Sequence, residues 1–258
     1  MTALRIFNWL MAALMLAPIL LVVWMSFTPG EIFRLPLEAF SLRWYRAVFS
    51  HPGFVDAFFL SLRLAIVSGV LAVALAFLCA YALDRGPAFP GKSACQALFL
   101  SPLVVPAVVF GIAMLQFANR TGLYNSFASL VIAHTVVVAP YAIRIIDSSL
   151  KMAPVDIEWA AMNLGARRLS VLTRIVLPLC YRGLAAAFLL CALLSFSEVT
   201  VTIFMVGPNY QTLPMRIYNY MSDQADPTVA AISTMLIGLS LVLALLLMRL
   251  GGFRDFAK

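Results

Sequence analysis

Charge is the scarcest feature of this sequence. Only 11% of its 258 residues are Asp, Glu, Lys or Arg, where a soluble domain carries about a quarter. A chain that is 63% hydrophobic cannot cover its own surface with polar groups. Lipid must be its solvent. Histidine is nearly absent: His51 and His134 are the two in the chain. They fall in different regions, and neither H-E-x-x-H nor G-x-S-x-G occurs. That disfavours metallohydrolase and serine-hydrolase chemistry. The four cysteines, Cys79, Cys95, Cys180 and Cys191, form no C-x-x-C pair. They read as small buried apolar side chains and not as metal ligands. No ten-residue alternation of the kind that marks a β-barrel strand is seen. No A-x-A site follows the first apolar run, so that run reads as an uncleaved span and not a signal peptide.

What is abundant is long apolar sequence. Six segments, roughly 6–27, 57–83, 96–118, 126–147, 182–205 and 228–250, are long enough to cross a bilayer. Backbone groups in lipid must pair within the segment, so the fold class is an all-α integral membrane protein with six transmembrane helices. The chain then reads as one transmembrane domain, 1–258. Prolines in "SPLVVPAVVFG" and "VVAPYAIR" predict kinked or broken spans. The mean hydropathy of +0.98 and pI near 9.5 come with a formal charge of +7. With the N-terminus inside, the cytoplasmic segments hold twelve basic residues, among them Arg5, Arg85, Lys92 and Arg249, against five acidic ones. The outer segments hold six of each, among them Arg34, Glu38, Arg63 and Asp226. The positive-inside rule therefore puts both termini in the cytoplasm. The basic excess is explained by topology, with no nucleic-acid partner.

One connecting segment is too polar to insert. "EWAAMNLGARRLSVLTRIVLPL" runs from Glu158 to Leu179 between spans four and five. Pro154 suits a helix first turn, with Asp156 and Glu158 near the positive helix end. Gly165 suits the left-handed position that ends such a helix. A second helix is predicted to put Leu169, Leu172, Ile175, Val176 and Leu179 on one face, with Arg167, Ser170 and Arg174 on the other. Two readings stand on the residues alone. The loop is an amphipathic element held on the anionic leaflet by its arginines, or it is a corner that docks a cytoplasmic partner.

The segment resembles the "EAA" motif of binding-protein-dependent ABC transporter permeases, E-A-A-x-x-x-G followed nine residues later by I-x-L-P. Aligned on Gly165, this chain reads "WAAMNLG", with Ile175, Leu177 and Pro178 at the motif spacing. Trp159 stands in the glutamate column, and Glu158 lies one position earlier. "SFSEVTVTIFMVGPNYQTLPMRIY", "DPTVAAISTMLI", "SPLVVPAVVFGIA" and "LVIAHTVVVAPYAIR" resemble the polyamine-type branch, spermidine/putrescine-like, of these permeases. The resemblance implies a type I importer permease fold of the bacterial inner membrane. It implies a coupling loop at about 152–179, in which Glu158, Trp159, Ala160, Ala161, Gly165, Arg167 and Arg168 meet the ATPase. The implied partners are two ATP-binding subunits, a second permease and an extracytoplasmic solute-binding protein. ATP and Mg would be used by the ATPase subunits, and this chain would bind no cofactor and catalyse nothing.

"GPAFPGKS" at 86–93 fits the P-loop pattern letter for letter. A phosphate cradle needs backbone N–H groups between a strand and a helix. Pro87 and Pro90 remove two of those donors, and the loop follows a membrane span. Arg85 and Lys92 read instead as topology-setting charges. Rival classes remain a secondary transporter, with ion-coupled carboxylates and inverted repeats, and a membrane-surface scaffold.

Glu198 is the one acidic residue deep in a predicted span, and a carboxylate there is a functional candidate. Ser195, Phe196 and Ser197 flank it, with Thr200 and Thr202 beyond. Phe196, Tyr210 and Tyr218 offer ring faces to a cation. The other reading is a carboxylate that hydrogen-bonds neighbouring helices. The polyamine-type branch commonly carries two adjacent acidic residues here, and this chain has Ser197-Glu198. The resemblance therefore implies a small hydrophilic cation, with other small amines, amino-phosphonates and amino-acid-like solutes open.

Overall fold

The computed structural model describes residues 2–31, 39–207, 209–224 and 226–250. Arg34, Glu38, Arg254, Asp255 and Lys258, used above for topology, lie outside the described residues. The described chain is helical, with no strand. Four helices are long and apolar enough to cross a membrane: α1 (Thr2–Met25), α3 (Phe54–Arg85), α6 (Phe127–Met152) and α13 (Thr228–Leu250). Two bent pairs bring the number to six. In the first, α4 (Lys92–Leu100) and a 3-10 turn meet α5 (Ala107–Thr121) at 100°. Pro102 and Pro106 sit at that corner, where missing N–H groups and fixed φ values end regular helix. In the second, Arg168–Leu179 meets α10 (Tyr181–Ser197) at 70°. Short helices α2 (Arg43–Ser50), α7 (Val155–Asn163), α8 (Arg168–Val171), α9 (Leu177–Leu179), α11 (Thr202–Met205) and α12 (Leu213–Asp223) complete the chain.

The chain forms two compact units, Met1–Ala57 with Arg216–Val242, and Phe58–Met215 with Leu243–Lys258. In the first unit, α2 folds back on the end of α1. Trp44 Nε1 donates to the Thr28 carbonyl at 2.8 Å, and Tyr45 and Ser26 hydroxyls pair at 2.7 Å. Tyr220 stacks edgewise on His51 and Phe54 and donates to Asp226 at 2.7 Å.

In the second unit, small side chains let helices approach closely, as membrane packing requires. Ala72, Ala76 and Ala80 of α3 join Ala142 of α6 and Ala187 and Cys191 of α10 in one buried core. Gly183 lies so close to Ser149 of α6 that a Cβ would collide with it. The apolar surface left outside this core, including Leu71, Leu75 and Leu78, faces outward where lipid belongs.

Three sequence expectations change. The fifth span ends at Ser197, eight residues short of the expected 205. Val199, Thr200, Val201 and Thr202 are β-branched and crowd a helix. The Glu198 carboxylate also captures a backbone N–H, which competes with helix continuation. The second loop helix holds a π turn over Leu172–Val176. The extra residue rotates the apolar stripe, so Val171 and Val176 are buried while Leu169 is 71% exposed. The turn precedes Pro178, whose ring would meet the carbonyl of residue 174 in a regular helix. Finally, Arg85 is no simple topology charge, because its side chain is largely buried.

Candidate functional site: a polar corner and a broken span

The corner is built at the ends of three helices. Pro154 caps α7 from just before its first residue, with extended ψ of 121°. Gly165 takes φ +89°. Its N–H donates to the Met162 carbonyl at 3.0 Å, and Ala166 N–H donates to Ala161 at 3.0 Å. These paired bonds are a Schellman end, which satisfies the last helix carbonyls and turns the chain sharply. Nothing crowds the Gly165 Cβ position, so the backbone angle alone demands glycine.

Glu158 and Trp159 point opposite ways. Glu158 is 5% exposed, whereas Trp159 is 57% exposed. Glu158 Oε1 lies 3.0 Å from Arg85 Nε, and Tyr81 donates its hydroxyl to Oε2 at 3.1 Å. The Arg85 contact is an ion pair and not an aligned hydrogen bond. Arg85 Nη2 also donates to the carbonyls of Leu150 and Ala153 at 2.8 and 2.7 Å, closing the end of α6. Asp84 sits 3.2 Å from Arg85 Nη1. One guanidinium thus joins the ends of α3 and α6 to α7. Its planar fork suits several acceptors at once. On the other side of α7, Trp159, Ala160 and Leu164 are exposed, followed by Gly165, Arg167 and Arg168. Ala161 packs inward on the core. The corner therefore presents an aromatic, small-residue and basic face outward, over an ionic root.

The second site is the break after α10. Glu198 is half-buried with extended backbone (φ −71°, ψ 122°). Its Oε1 accepts the Val201 N–H at 2.8 Å, and its carbonyl accepts from Thr202 Oγ1 at 2.9 Å. Ser197 and Thr200 are exposed, and Phe196 packs edgewise on Phe58 at 5.8 Å. Tyr210 is partly buried against the Leu64–Leu130 cluster, while Tyr218 belongs to the other unit. Ser195 stands apart from its neighbours. It is buried, and its hydroxyl lies 2.8 Å from His134 Nδ1. His134 was not singled out from the sequence as a site residue. The available signal was an imidazole inside an apolar span, which is expensive unless partnered. Among the described residues, no three His, Cys, Asp or Glu side chains gather as a metal site.

Residues 72–251 match the family of binding-protein-dependent transport system inner membrane components. The chain belongs to that family. It is similar to the spermidine/putrescine transport system permease protein PotC of Escherichia coli K12, with 31% identity over 88% of this chain and 86% of that one. It is also similar to the putrescine permease PotI of the same organism, with 29% identity over 86% and 81%. A bacterial alginate ABC transporter shares the fold, with a TM-score of 0.66, 16% identity and coverage of 97% and 96%. The chain is thus a multi-pass permease subunit of an ABC importer with the type I fold, and the secondary-transporter reading falls. Permease subunits of this family are non-catalytic, and hydrolysis belongs to separate ATPase subunits. The P-loop letters at 86–93 follow helix α3 and not a strand.

Proposed function

We propose that this subunit carries a small, hydrophilic, cationic solute of the polyamine type into the cell. The supporting observation is the roughly 30% identity to permeases named for spermidine and putrescine, extending over most of the chain. A carboxylate at a helix break, Glu198, agrees with it: negative charge at an opened backbone attracts an ammonium group. Phe196, Ser197 and Glu198 line the pathway in this reading, and Ser195 supports it from behind. The whole chain acts as one permease domain with both termini cytoplasmic. Its partners are a second permease, two ATP-binding subunits that use ATP and Mg, and an extracytoplasmic binding protein. The coupling surface is Trp159, Ala160, Gly165, Arg167 and Arg168, with Glu158 and Ala161 as its inward support. A second reading, another small amine, amino-phosphonate or amino-acid-like solute, is favoured by Ser197-Glu198 in place of an acidic pair. Uptake of labelled putrescine, spermidine and competing amines by cells with and without the transporter tests both. Putrescine or spermidine uptake that needs ATP and the binding protein supports the first reading; competition by monoamines alone supports the second.

A further inference from the structure

A single buried line of hydrogen bonds crosses the second unit. Ser68 of α3, His134 of α6, Ser195 of α10 and Thr202 of α11 are all buried. Ser68 Oγ donates to the Leu64 carbonyl at 2.6 Å. Ser68 and Ser195 hydroxyls meet at 2.9 Å, and Ser195 meets His134 Nδ1 at 2.8 Å. His134 Nε2 meets Thr202 Oγ1 at 3.0 Å, and Thr202 donates to the Glu198 carbonyl at 2.9 Å. The line therefore ends on a main-chain carbonyl at each end.

Carbonyls only accept, each hydroxyl brings one hydrogen, and a neutral imidazole brings one more. Five links are thus served by four hydrogens. One link is always empty, and the ring decides on which side of it the gap falls. With the proton on Nδ1, the ring donates to Ser195, Ser195 to Ser68 and Ser68 to Leu64. The one Thr202 hydrogen must then choose between Nε2 and the Glu198 carbonyl, which weakens its hold on that carbonyl. With the proton on Nε2, the ring donates to Thr202, and Thr202 holds the Glu198 carbonyl. Nδ1 then takes the Ser195 hydrogen, and the one Ser68 hydrogen must choose between the Leu64 carbonyl and Ser195, which weakens the link between α10 and α3. A second ring proton would fill every link, but at the expense of a buried charge.

We propose that His134 is a two-position switch that positions the turn bearing Glu198. Its Nε2–H form locks the 198–202 turn and loosens α10 from α3. Its Nδ1–H form ties α10 to α3 and loosens the turn. Binding of a cation at Glu198 and movement of α10 against α3 are then linked through one ring. This proposal rests on the reading of Glu198 as a substrate-facing carboxylate.

The test separates the two ends of the line. Asn at position 134 reaches only the Nδ1 partner, and Gln reaches the Nε2 partner. The assembled transporter is used in membranes, with the four native cysteines of this chain replaced by Ala and Thr200→Cys as a reporter on the exposed turn. Maleimide labelling of the reporter needs no substrate. Thr202→Val should speed labelling at least five-fold. His134→Asn leaves Thr202 no Nε2 to serve, so its hydrogen stays on the Glu198 carbonyl and labelling should slow or hold; His134→Gln should leave it within two-fold of wild type. Thr202→Val keeps volume, so it carries the test if the ring variants assemble poorly. In the chain with Thr200 restored, Thr202→Val should raise the apparent KM for putrescine about ten-fold. His134→Asn should keep KM and slow maximal uptake, because the turn is held and not released. Labelling sped as much by His134→Asn as by Thr202→Val would overturn the switch. If labelling divides as stated but Glu198→Gln transports putrescine with unchanged KM, the switch stands as a conformational device and the substrate role of Glu198 fails.

Discussion

Two carboxylates sit on short polar stretches of this chain, and they are held in opposite ways. Glu158 is clamped by a guanidinium and a phenol at the root of the Gly165 corner. Glu198 is held by one backbone N–H and a line of neutral hydrogen bonds at a broken span. A buried ion pair is rigid because either charge alone is left unpaired in a poor solvent. A capped turn exchanges its partners at small expense. The first arrangement suits a strut that moves as one piece with α3 and α6. The second suits a place that must open and close around a solute.

The sharpest way to break the comparison is to remove one charge from the strut. Arg85→Ala leaves Glu158 buried without its partner, and the carbonyls of Leu150 and Ala153 without their donor. The expected loss is about 3–5 kcal/mol, read as a collapse in the yield of detergent-solubilised complex. Glu158→Gln removes only the charge and should lose less. If Arg85→Ala assembles and transports normally, the strut is not one. Next in size is Gly165→Val. The position is open, so any effect comes from φ +89° alone. A β-branched residue there is strained by roughly 1–2 kcal/mol, and Asn tolerates the angle better. Insertion should survive in both. Binding-protein-stimulated ATPase activity and uptake should fall at least five-fold in Val and stay near wild type in Asn. Equal activity in the two variants would mean that the corner angle does not govern docking.

What the sequence made legible follows from local rules. Apolar length marked the spans, and the Gly165 corner could be read because left-handed ends have a strong residue preference. The Arg85–Glu158 pair was hidden, since nothing local links residues so far apart in the chain. The exposure of Leu169 was hidden because the 3.6-residue stripe assumes an unbroken helix, and the π turn adds a residue. The end of α10 at Ser197 was hidden for a related reason. Its sequence stays mostly apolar through Met205, and the β-branched run 199–202 together with the side-chain bonds of Glu198 and Thr202 diverts the backbone. The helices α2 and α12 are too short and polar to register as spans.

At the broken span the expected effects are smaller in stability and larger in selectivity. Glu198→Gln keeps an acceptor for the Val201 N–H, so complex yield should stay near wild type. Uptake of labelled putrescine should fall about ten-fold if the charge meets the cation. Glu198→Leu removes the acceptor as well, for a further loss of about 1 kcal/mol in line with other caps. It should lower the thermal midpoint of the complex as well as uptake. Full putrescine uptake by the Gln variant would take Glu198 out of the solute path and leave it as a cap alone.

The smallest expected effect concerns the other charge on the loop that Arg85 begins. Lys92 opens α4 after Gly91, which takes φ +91°. Its N–H is turned back to the Phe89 carbonyl at 3.3 Å, and Cys95 N–H is turned to Gly91 at 2.9 Å. With Pro87 and Pro90 carrying no N–H at all, those bonds close the turn on itself and do not face outward as a phosphate cradle would. Lys92→Ala should therefore leave ATP hydrolysis by the assembled transporter within two-fold of wild type. Complex yield should also hold, because the charge of a half-buried lysine at a loop end contributes little to stability. The contrast with Arg85→Ala is the point of the measurement. The two charges flank one loop, and only the buried one reaches the α7 corner. A loss of hydrolysis in Lys92→Ala with the complex intact would show that this loop touches the nucleotide-bearing subunits, and the strut would then have a second root.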